Sequence, residues 1–306
     1  MRESTAPNHR PTTGTLCTIS GGILWGFSGT CGQYLFMNYG IDARLLTTIR
    51  MVGAGLILLL VGFLRERENM TGIWKTPKDA RRLILFAVCG LMFCQFSYMQ
   101  AISYSNSGTA TTLQYLGPVL IMIITCFRAG KLPNKREVIA ILLALLGTFL
   151  LATHGDVGNM VLTREGLMWG LLSAVAVSLY TMLPVELMRK WGSIPVVGYA
   201  MLIGGLVLGL GGRVWNFRLS LDLPGTAALA AIVLFGTVIA FTMYLYGVKE
   251  IGPVKGSMLS STEPVSATFF MVVWLHSSFG LMDLAGFLCI MTTVFLLALE
   301  KEPGKA

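Results

Sequence analysis

The chain of 306 residues is 54% hydrophobic and only 12% charged, with a formal net charge of +8. A soluble domain carries about 25% charged residues, so this composition excludes an ordinary soluble globule and points to a membrane protein. The positive charge is not gathered into a basic domain but falls between apolar runs, which excludes nucleic acid as a partner and makes Lys and Arg topology signals.

Ten apolar runs, each near the roughly 20 residues that cross a bilayer as helix, succeed one another along the chain. Residues 1–15 are polar and are expected to form a disordered cytoplasmic tail. The first span, Leu16 to Met37, is longer than a signal-peptide core and has no small-x-small cleavage site after it. The second runs from Ala43 to Leu64, with Arg50 inside it, and a basic loop from Arg65 to Arg82 follows. Spans three (Leu83 to Ser103) and four (Ser107 to Phe127) are joined by a few uncharged residues, as in a tight hairpin. A second basic loop leads to span five, Glu137 to Thr153.

A linker, 154–164, separates this half from span six, Glu165 to Met188. Spans seven (Pro195 to Gly212), eight (Gly225 to Val248), nine (Gly256 to Leu275) and ten (Asp283 to Leu299) complete the chain, with a short polar tail at 300–306. With the N-terminus inside, 18 of the 23 Lys and Arg fall in inner segments and four in outer loops. Both termini are therefore expected to be cytoplasmic. Six cysteines (Cys17, Cys31, Cys89, Cys94, Cys126 and Cys289) sit in or beside apolar runs without a CxxC pair, so neither a metal site nor disulfides are expected.

Span nine contains Glu263 and Pro264. A carboxylate at membrane depth costs roughly 2.5 to 3.5 kcal/mol on insertion scales, which makes it a functional-site hypothesis. Proline frees a backbone carbonyl that hydrocarbon cannot satisfy, so the helix must bend against a neighbour or a wet cavity. Shifting the sequence by 146 residues lays Ala101–Thr153 on Gly247–Leu299 without a gap: Pro118 falls on Pro264, Gly117 on Glu263, and Glu137 on Asp283. Five spans is an odd number, so the second copy enters the membrane inverted, and such repeats mark transporters with a site near the midplane.

Arg50 in Leu45-Leu-Thr-Thr-Ile-Arg50, the segment Tyr115-Leu-Gly-Pro-Val119, and above all the run from Lys255 to Ala267 resemble the EamA-type branch of the drug/metabolite transporter superfamily. The resemblance covers about Thr15 to Glu300 and implies an all-α integral membrane protein of ten helices in two inverted five-helix repeats, 16–153 and 165–299. Relatives of this kind move amino acids, sugars, nucleotides, amines and other metabolites. The family's Gly-Glu pair after spans four and nine is replaced by Gly130-Lys131 and His276-Ser277, which puts that glutamate's role in doubt here.

Candidate substrate-binding residues are Trp25, Gln95, Tyr98, Gln114, Tyr115, Tyr180, Phe241, Tyr244, Ser260 and Glu263. Aromatic rings deep in a span favour a protein-facing or cavity-facing place over packing in lipid, and as a group they suit flat rings or an ammonium. Gln95 and Tyr98 share one helical face, and Tyr98 and Tyr244 are mates under the shift. Glu263 has three roles open to it: counter-charge, protonatable coupling site, or structural acid capped by hydroxyls and Arg50. Arg50 has three as well: snorkelling outward, holding a substrate carboxylate, or pairing with an acid.

Pro118, Pro184 and Pro264 are candidate hinges, with Glu186 beside Pro184 at a kinked gate. The GxxxG pairs Gly22/Gly26, Gly166/Gly170 and Gly205/Gly209 are read as close helix contacts. Lys249 and Lys255 are read mainly as inner-side charge.

The expected function is secondary transport by alternating access in the plasma or inner membrane, without ATP because no Walker P-loop is present. The cargo is expected to be an amino acid or similar metabolite, exported or exchanged. Cationic amines with Glu263 as counter-charge are the alternative. A membrane-embedded enzyme is the remote one, since His9, His154 and His276 lie in the tail and outer loops and no catalytic constellation appears, and a channel or scaffold lacks a repeated pore signature. No cofactor or metal is expected; the partners are a small molecule, the bilayer and protons, and the chain is a monomer or homodimer.

Overall fold

The structure, a computed structural model, describes residues 11–65, 67–128, 130, 132–156, 162–251, 256 and 259–298. Within them the secondary structure is helical throughout. Helix α1 spans Pro11–Tyr39, α2 Ala43–Arg65, α3 Arg67–Lys75, α4 Pro77–Leu85 and α5 Phe93–Tyr104, the last two continuous through a π-helical stretch at Phe86–Met92. Then come α6 Ser107–Gln114, α7 Gly117–Arg128, α8 Lys135–Thr153, α9 Arg164–Met182, α10 Val185–Trp191 and α11 Ser193–Gly211. Helices α12 Leu223–Val233 and α13 Ala240–Ile251 flank a second π-helical stretch, Leu234–Ile239, and α14 Thr262–Leu275 and α15 Leu281–Ala298 follow.

Seven helical segments among the described residues are long and apolar enough to cross a membrane: Ala43–Leu64, Pro77–Tyr104, Ser107–Arg128, Lys135–Thr153, Arg164–Trp191, Ser193–Gly211 and Leu223–Val248. The chain is a multi-pass membrane protein. The other three expected spans correspond to α1, which is long but rich in Thr, Ser and Gly, and to the shorter apolar helices Thr262–Leu275 and Leu281–Leu296. Helix α1 packs against α13 and α14, so its hydroxyls are turned to protein: Thr18, Ser28 and Thr30 are buried.

The expected basic loop from Arg65 to Arg82 is instead helical. Helix α3 lays Met70 and Ile73, both fully buried, onto the core, and Trp74 meets Tyr199 edge-on at 5.2 Å. The chain restarts at Pro77, whose fixed φ suits a first helical position and whose ring holds Thr76 extended (φ −110°, ψ 103°). Charged residues at the head of this helix hid it from a reading based on hydropathy alone.

Two features keep register under the shift of 146 residues. Glu137 accepts a hydrogen bond from the Asn134 backbone N–H in a capping box, and its mate Asp283 accepts one at 2.8 Å from Gly280, the mate of Asn134. Helix 107–128 is interrupted at Tyr115–Leu116, and the described part of the ninth span is interrupted at Ser261, so each break precedes its proline by about one turn. Lys131, Pro253, Lys255, Ser257 and Met258 lie outside the described residues.

Equivalent helices also pack on each other. Where α8 crosses α15, a Cβ on Gly147 would sit 2.8 Å from the Gly286 carbonyl oxygen, and Thr293 donates at 3.2 Å to the Ala140 carbonyl. Gly147 and Thr293 are mates, as are Ala140 and Gly286, so one contact is the image of the other and the helices run antiparallel. Helices α2 and α11 cross likewise, Gly55 against Leu202 and Gly205 against Val52. The GxxxG expectation holds in all three cases: Gly205 and Gly209 meet Val52 and Thr48, Gly166 and Gly170 meet Tyr104 and Leu113, and Gly22 and Gly26 bring α1 onto α14.

Candidate functional site

Helix α14 begins at the Ser261 break, and Pro264 as its third residue explains the break chemically. Proline has no N–H to give the carbonyl four residues earlier, which belongs to Ser260. Tyr115 replaces it: the phenol hydroxyl donates at 2.8 Å to the Ser260 carbonyl and lies 3.3 Å from Glu263 Oε2. The tyrosine sits in the break that the 146-residue shift lays on this one, so each interruption is bound to the other. Ser266 hydroxyl donates at 2.9 Å to the Glu263 carbonyl, and that carbonyl lies 2.6 Å from where a Cβ on Gly26 would stand. The lack of a side chain at Gly26 is what lets α1 approach the acid's backbone.

Glu263 is the electrostatic centre of the group. Arg50, Cys94 and the phenols of Tyr98, Tyr115, Tyr180 and Tyr244 all interact with its charge. Six of the ten candidate residues thus gather round one carboxylate or carry it: Tyr98, Tyr115, Tyr180, Tyr244, Ser260 and Glu263 itself.

Arg50 does not snorkel. It is 4% exposed, its Nε donates at 3.0 Å to the Thr237 hydroxyl, and its Nη2 donates at 3.4 Å to the Gly236 carbonyl. Thr237 hydroxyl in turn donates at 2.9 Å to Ile232, five residues back, as the π-helical stretch allows. That stretch turns an acceptor pair toward the guanidinium, the kind of local irregularity that collects at functional sites. Nη1 is buried and has no partner, and no ion pair within 4 Å joins Arg50 to Glu263. The direct cap of Glu263 by Arg50 considered from the sequence is therefore not formed.

Aromatic rings pack together in the same region. Trp25 stands edge-on to Phe241 at 5.1 Å and tilted against Tyr244 at 5.0 Å, and Tyr180 stacks on Phe86 at 5.9 Å. The hydroxyls of Tyr180 and Tyr244 and the amide of buried Gln95 make no hydrogen bond to the described residues. Tyr98 differs from its mate Tyr244: its hydroxyl is bonded at 2.7 Å to Thr111, and it is buried against Met99 and Ile102. Gln114 is buried with its amide 3.8 Å from Cys94 Sγ.

Pro118 is the second residue of α7, and Pro184 separates α9 from α10, whose Glu186 pairs with Arg82 at 2.5 Å. Gly130 and His276, at the two places of the family's glycine, both have positive φ, 62° and 51°. Ser277 accepts a hydrogen bond at 2.9 Å from Gln33. The described part of α13 places Lys249 near its end, while Lys255 lies outside the described residues.

Several participants escaped the sequence reading. Gln33 accepts from the Ser107 backbone N–H at 2.9 Å and from its hydroxyl at 3.0 Å, which ties α1 to the start of α6. Ser28 lies against Gly236 with its hydroxyl buried and unpartnered. A lone amide or hydroxyl inside an apolar run carries no signal by itself. The pairing of Arg50 with residues 186 and 187 positions away could be found only in three dimensions.

Buried charges and aromatic rings gathered among the helices of a multi-pass membrane protein are what a membrane transporter needs to hold a polar cargo. The EamA-like transporter family model matches residues 12–153 and 164–299, and the chain belongs to that family. It is 36% identical over 291 residues to the uncharacterized inner membrane transporter YicL of Salmonella typhimurium, covering 94% of this chain and 96% of that one. It is 23% identical over 272 residues to the uncharacterized transporter YetK of Bacillus subtilis, covering 87% and 81%. A solved crystal structure with 19% identity shares the fold at a TM-score of 0.64 over 93% of this chain and 96% of that one.

Proposed function

We propose that this protein is a secondary active transporter that exports or exchanges an amino acid or a close zwitterionic analogue by alternating access between two inverted halves, 16–153 and 165–299. Ten spans, cytoplasmic termini and residence in the cytoplasmic membrane belong to the same reading. The two separate family-model matches, the mirrored α8/α15 contact and the paired breaks support the inverted halves. The name of the relative YicL supports the inner membrane.

One observation carries the substrate class: buried Arg50 holds an N–H with no partner in the electrostatic reach of Glu263. A buried guanidinium left short of an acceptor costs free energy that a carboxylate returns through charge-assisted hydrogen bonds. An α-ammonium then faces Glu263 and the Trp25, Phe241 and Tyr244 rings. The zwitterion fits both charges at once, whereas a simple anion or cation leaves one of them unmet.

Purified protein in proteoliposomes, loaded with unlabelled amino acids and offered labelled ones, tests this by counterflow. Saturable exchange of at least one amino acid supports the proposal. Flux of amines but of no amino acid would transfer the function to the second reading, for which the rings beside Glu263 speak. No flux across amino acids, amines, sugars and nucleotides sinks both.

A further inference from the structure

Away from the central site, the head of α4 faces α10 across an open cleft of about 510 Å³. Its charges are unevenly matched. Lys190 Nζ contacts Asp79 Oδ2 at 2.6 Å, the Trp191 indole N–H donates to the same oxygen at 3.0 Å, and Arg82 pairs with Glu186 at 2.5 Å. Both acids of the lining are thereby engaged. Lys78 and Arg189 line the same cleft, and neither forms an ion pair with the described residues.

Two unmatched cations that share a cleft repel one another until an anion lies between them. The start of α4 makes no demand of its own, since Asp79 already stands in its first turn, Pro77 has no N–H and the Asp79 and Ala80 N–H groups donate to the Thr76 carbonyl; what it leaves over is the Thr76 hydroxyl, which makes no capping bond. A phosphate brings charge and several acceptor oxygens for the two cations and the hydroxyl together. About two turns along α4, Ile84 and Leu85 are exposed, at 46% and 52%, where acyl chains would lie.

We propose that this cleft binds a phosphate group, supplied by the headgroup of an anionic phospholipid. Its place on the cytoplasmic face rests on the topology proposed above; the binding does not. Basic pockets between membrane helices on that side are suited to such headgroups, with about 1 kcal/mol per Lys or Arg near the surface. Because the Asp79–Lys190 and Arg82–Glu186 pairs join the two halves, a phosphate seated between Lys78 and Arg189 braces the same junction.

The test is the melting temperature of the purified full-length protein in detergent, titrated with phosphatidylglycerol, with phosphatidylcholine, and with sodium phosphate at matched ionic strength. Phosphatidylglycerol is expected to raise the melting temperature saturably and phosphatidylcholine to leave it unchanged. Lys78→Gln with Arg189→Gln should weaken the phosphatidylglycerol midpoint about thirty-fold, two charges at about 1 kcal/mol each. Lys78→Arg with Arg189→Lys should retain it.

Should the neutral double variant fail to fold, exposed Lys78→Gln alone is read instead, with a weakening of about five-fold. A saturable shift by sodium phosphate that vanishes in the same variant, with none added by the lipid, assigns the site to soluble phosphate and keeps the phosphate chemistry. A lipid shift of equal midpoint in the wild type and the neutral variant, or no shift by either phosphate source, overturns the proposal. Since binding is measured and not flux, failure of the transport reading leaves this result standing.

Discussion

Tyr115 and Pro264 act as one unit: the proline strips the Ser260 carbonyl of its helical donor, and the tyrosine hydroxyl supplies another at 2.8 Å. Tyr115→Phe keeps the ring and removes one hydrogen bond from a buried carbonyl, at a cost of about 1 kcal/mol. The variant should melt at a lower temperature in detergent. Tyr115→Phe with Pro264→Ala should recover most of the loss, because alanine returns the backbone N–H to the same carbonyl. A double variant no more stable than Tyr115→Phe would show that the hydroxyl serves Glu263 instead.

Arg50 gives a sharper test of substrate class. Arg50→Lys keeps the charge but cannot reproduce the planar fork that bonds Thr237 and Gly236 while leaving Nη1 free. Exchange of an amino acid should fall by about two orders of magnitude, as for a lost charge-assisted hydrogen bond of roughly 3 kcal/mol. Exchange of the matching decarboxylated amine, if any is measurable, should be nearly unchanged. Equal loss for both cargoes would make Arg50 a structural pillar of the α2 and π-helix contact.

Glu263 sits where its charge is felt by four tyrosines, a thiol and Arg50. Glu263→Gln preserves shape and hydrogen bonding but can carry neither a proton nor a counter-charge. If the acid couples protons, net flux loses its pH dependence while one-for-one exchange persists. If it only pairs with the cargo's ammonium, exchange of amino acids and amines falls together. An unchanged pH profile and unchanged exchange would return Glu263 to a structural role.

Outside the spans, Tyr39 donates its hydroxyl to Asp222 Oδ1, and the Gly225 backbone N–H donates to the same oxygen at 2.9 Å. These bonds hold the Asp222 carboxyl below its usual range and push the Tyr39 phenol up. A lowered carboxyl contributes stability that is present above its unfolded value near pH 4 and lost as pH falls through the folded one. A raised phenol contributes stability present below about pH 10 and lost as pH rises through its folded value. Tyr39→Phe should therefore melt lower than wild type at pH 7, and the gap should close as the pH drops below about 4. A gap independent of pH would mean that the ring, not the hydroxyl, matters.

How much of this was legible in the sequence depends on how local each signal is. Apolar runs announce themselves, and the helices fell near their expected bounds wherever hydropathy governs, as at Ala43–Arg65 and Ser107–Arg128. Glu263 and Arg50 stood out because a charge in an apolar run is costly. Helix α3 did not, because Met70 and Ile73 among charged neighbours look like a loop until the core they cover is known. The π-helical stretches at Phe86–Met92 and Leu234–Ile239 have no composition of their own. The partnership of Thr237 with Arg50 depends on one of them, and so stayed invisible.

The α8/α15 crossing tests the inverted halves through packing energy alone. Gly147 and Gly286 are in mutual contact, each carbonyl lying 2.8 Å from where the other's Cβ would stand. Backbone atoms cannot rotate away, so Gly147→Ala or Gly286→Ala must push the helices apart, at about 1–3 kcal/mol each. Once one alanine has opened the crossing, the second meets less resistance, and the double variant should lose clearly less than the sum of the singles. Under the 146-residue shift Ala140 and Thr293 form the matching contact on the same pair of helices. Ala140→Gly, which relaxes that end, should soften the penalty of Gly147→Ala by letting the helices tilt about the axis. Strict additivity in a melting-temperature double-mutant cycle would mean that the two ends of the crossing are independent, and would remove this contact from the case for symmetric halves.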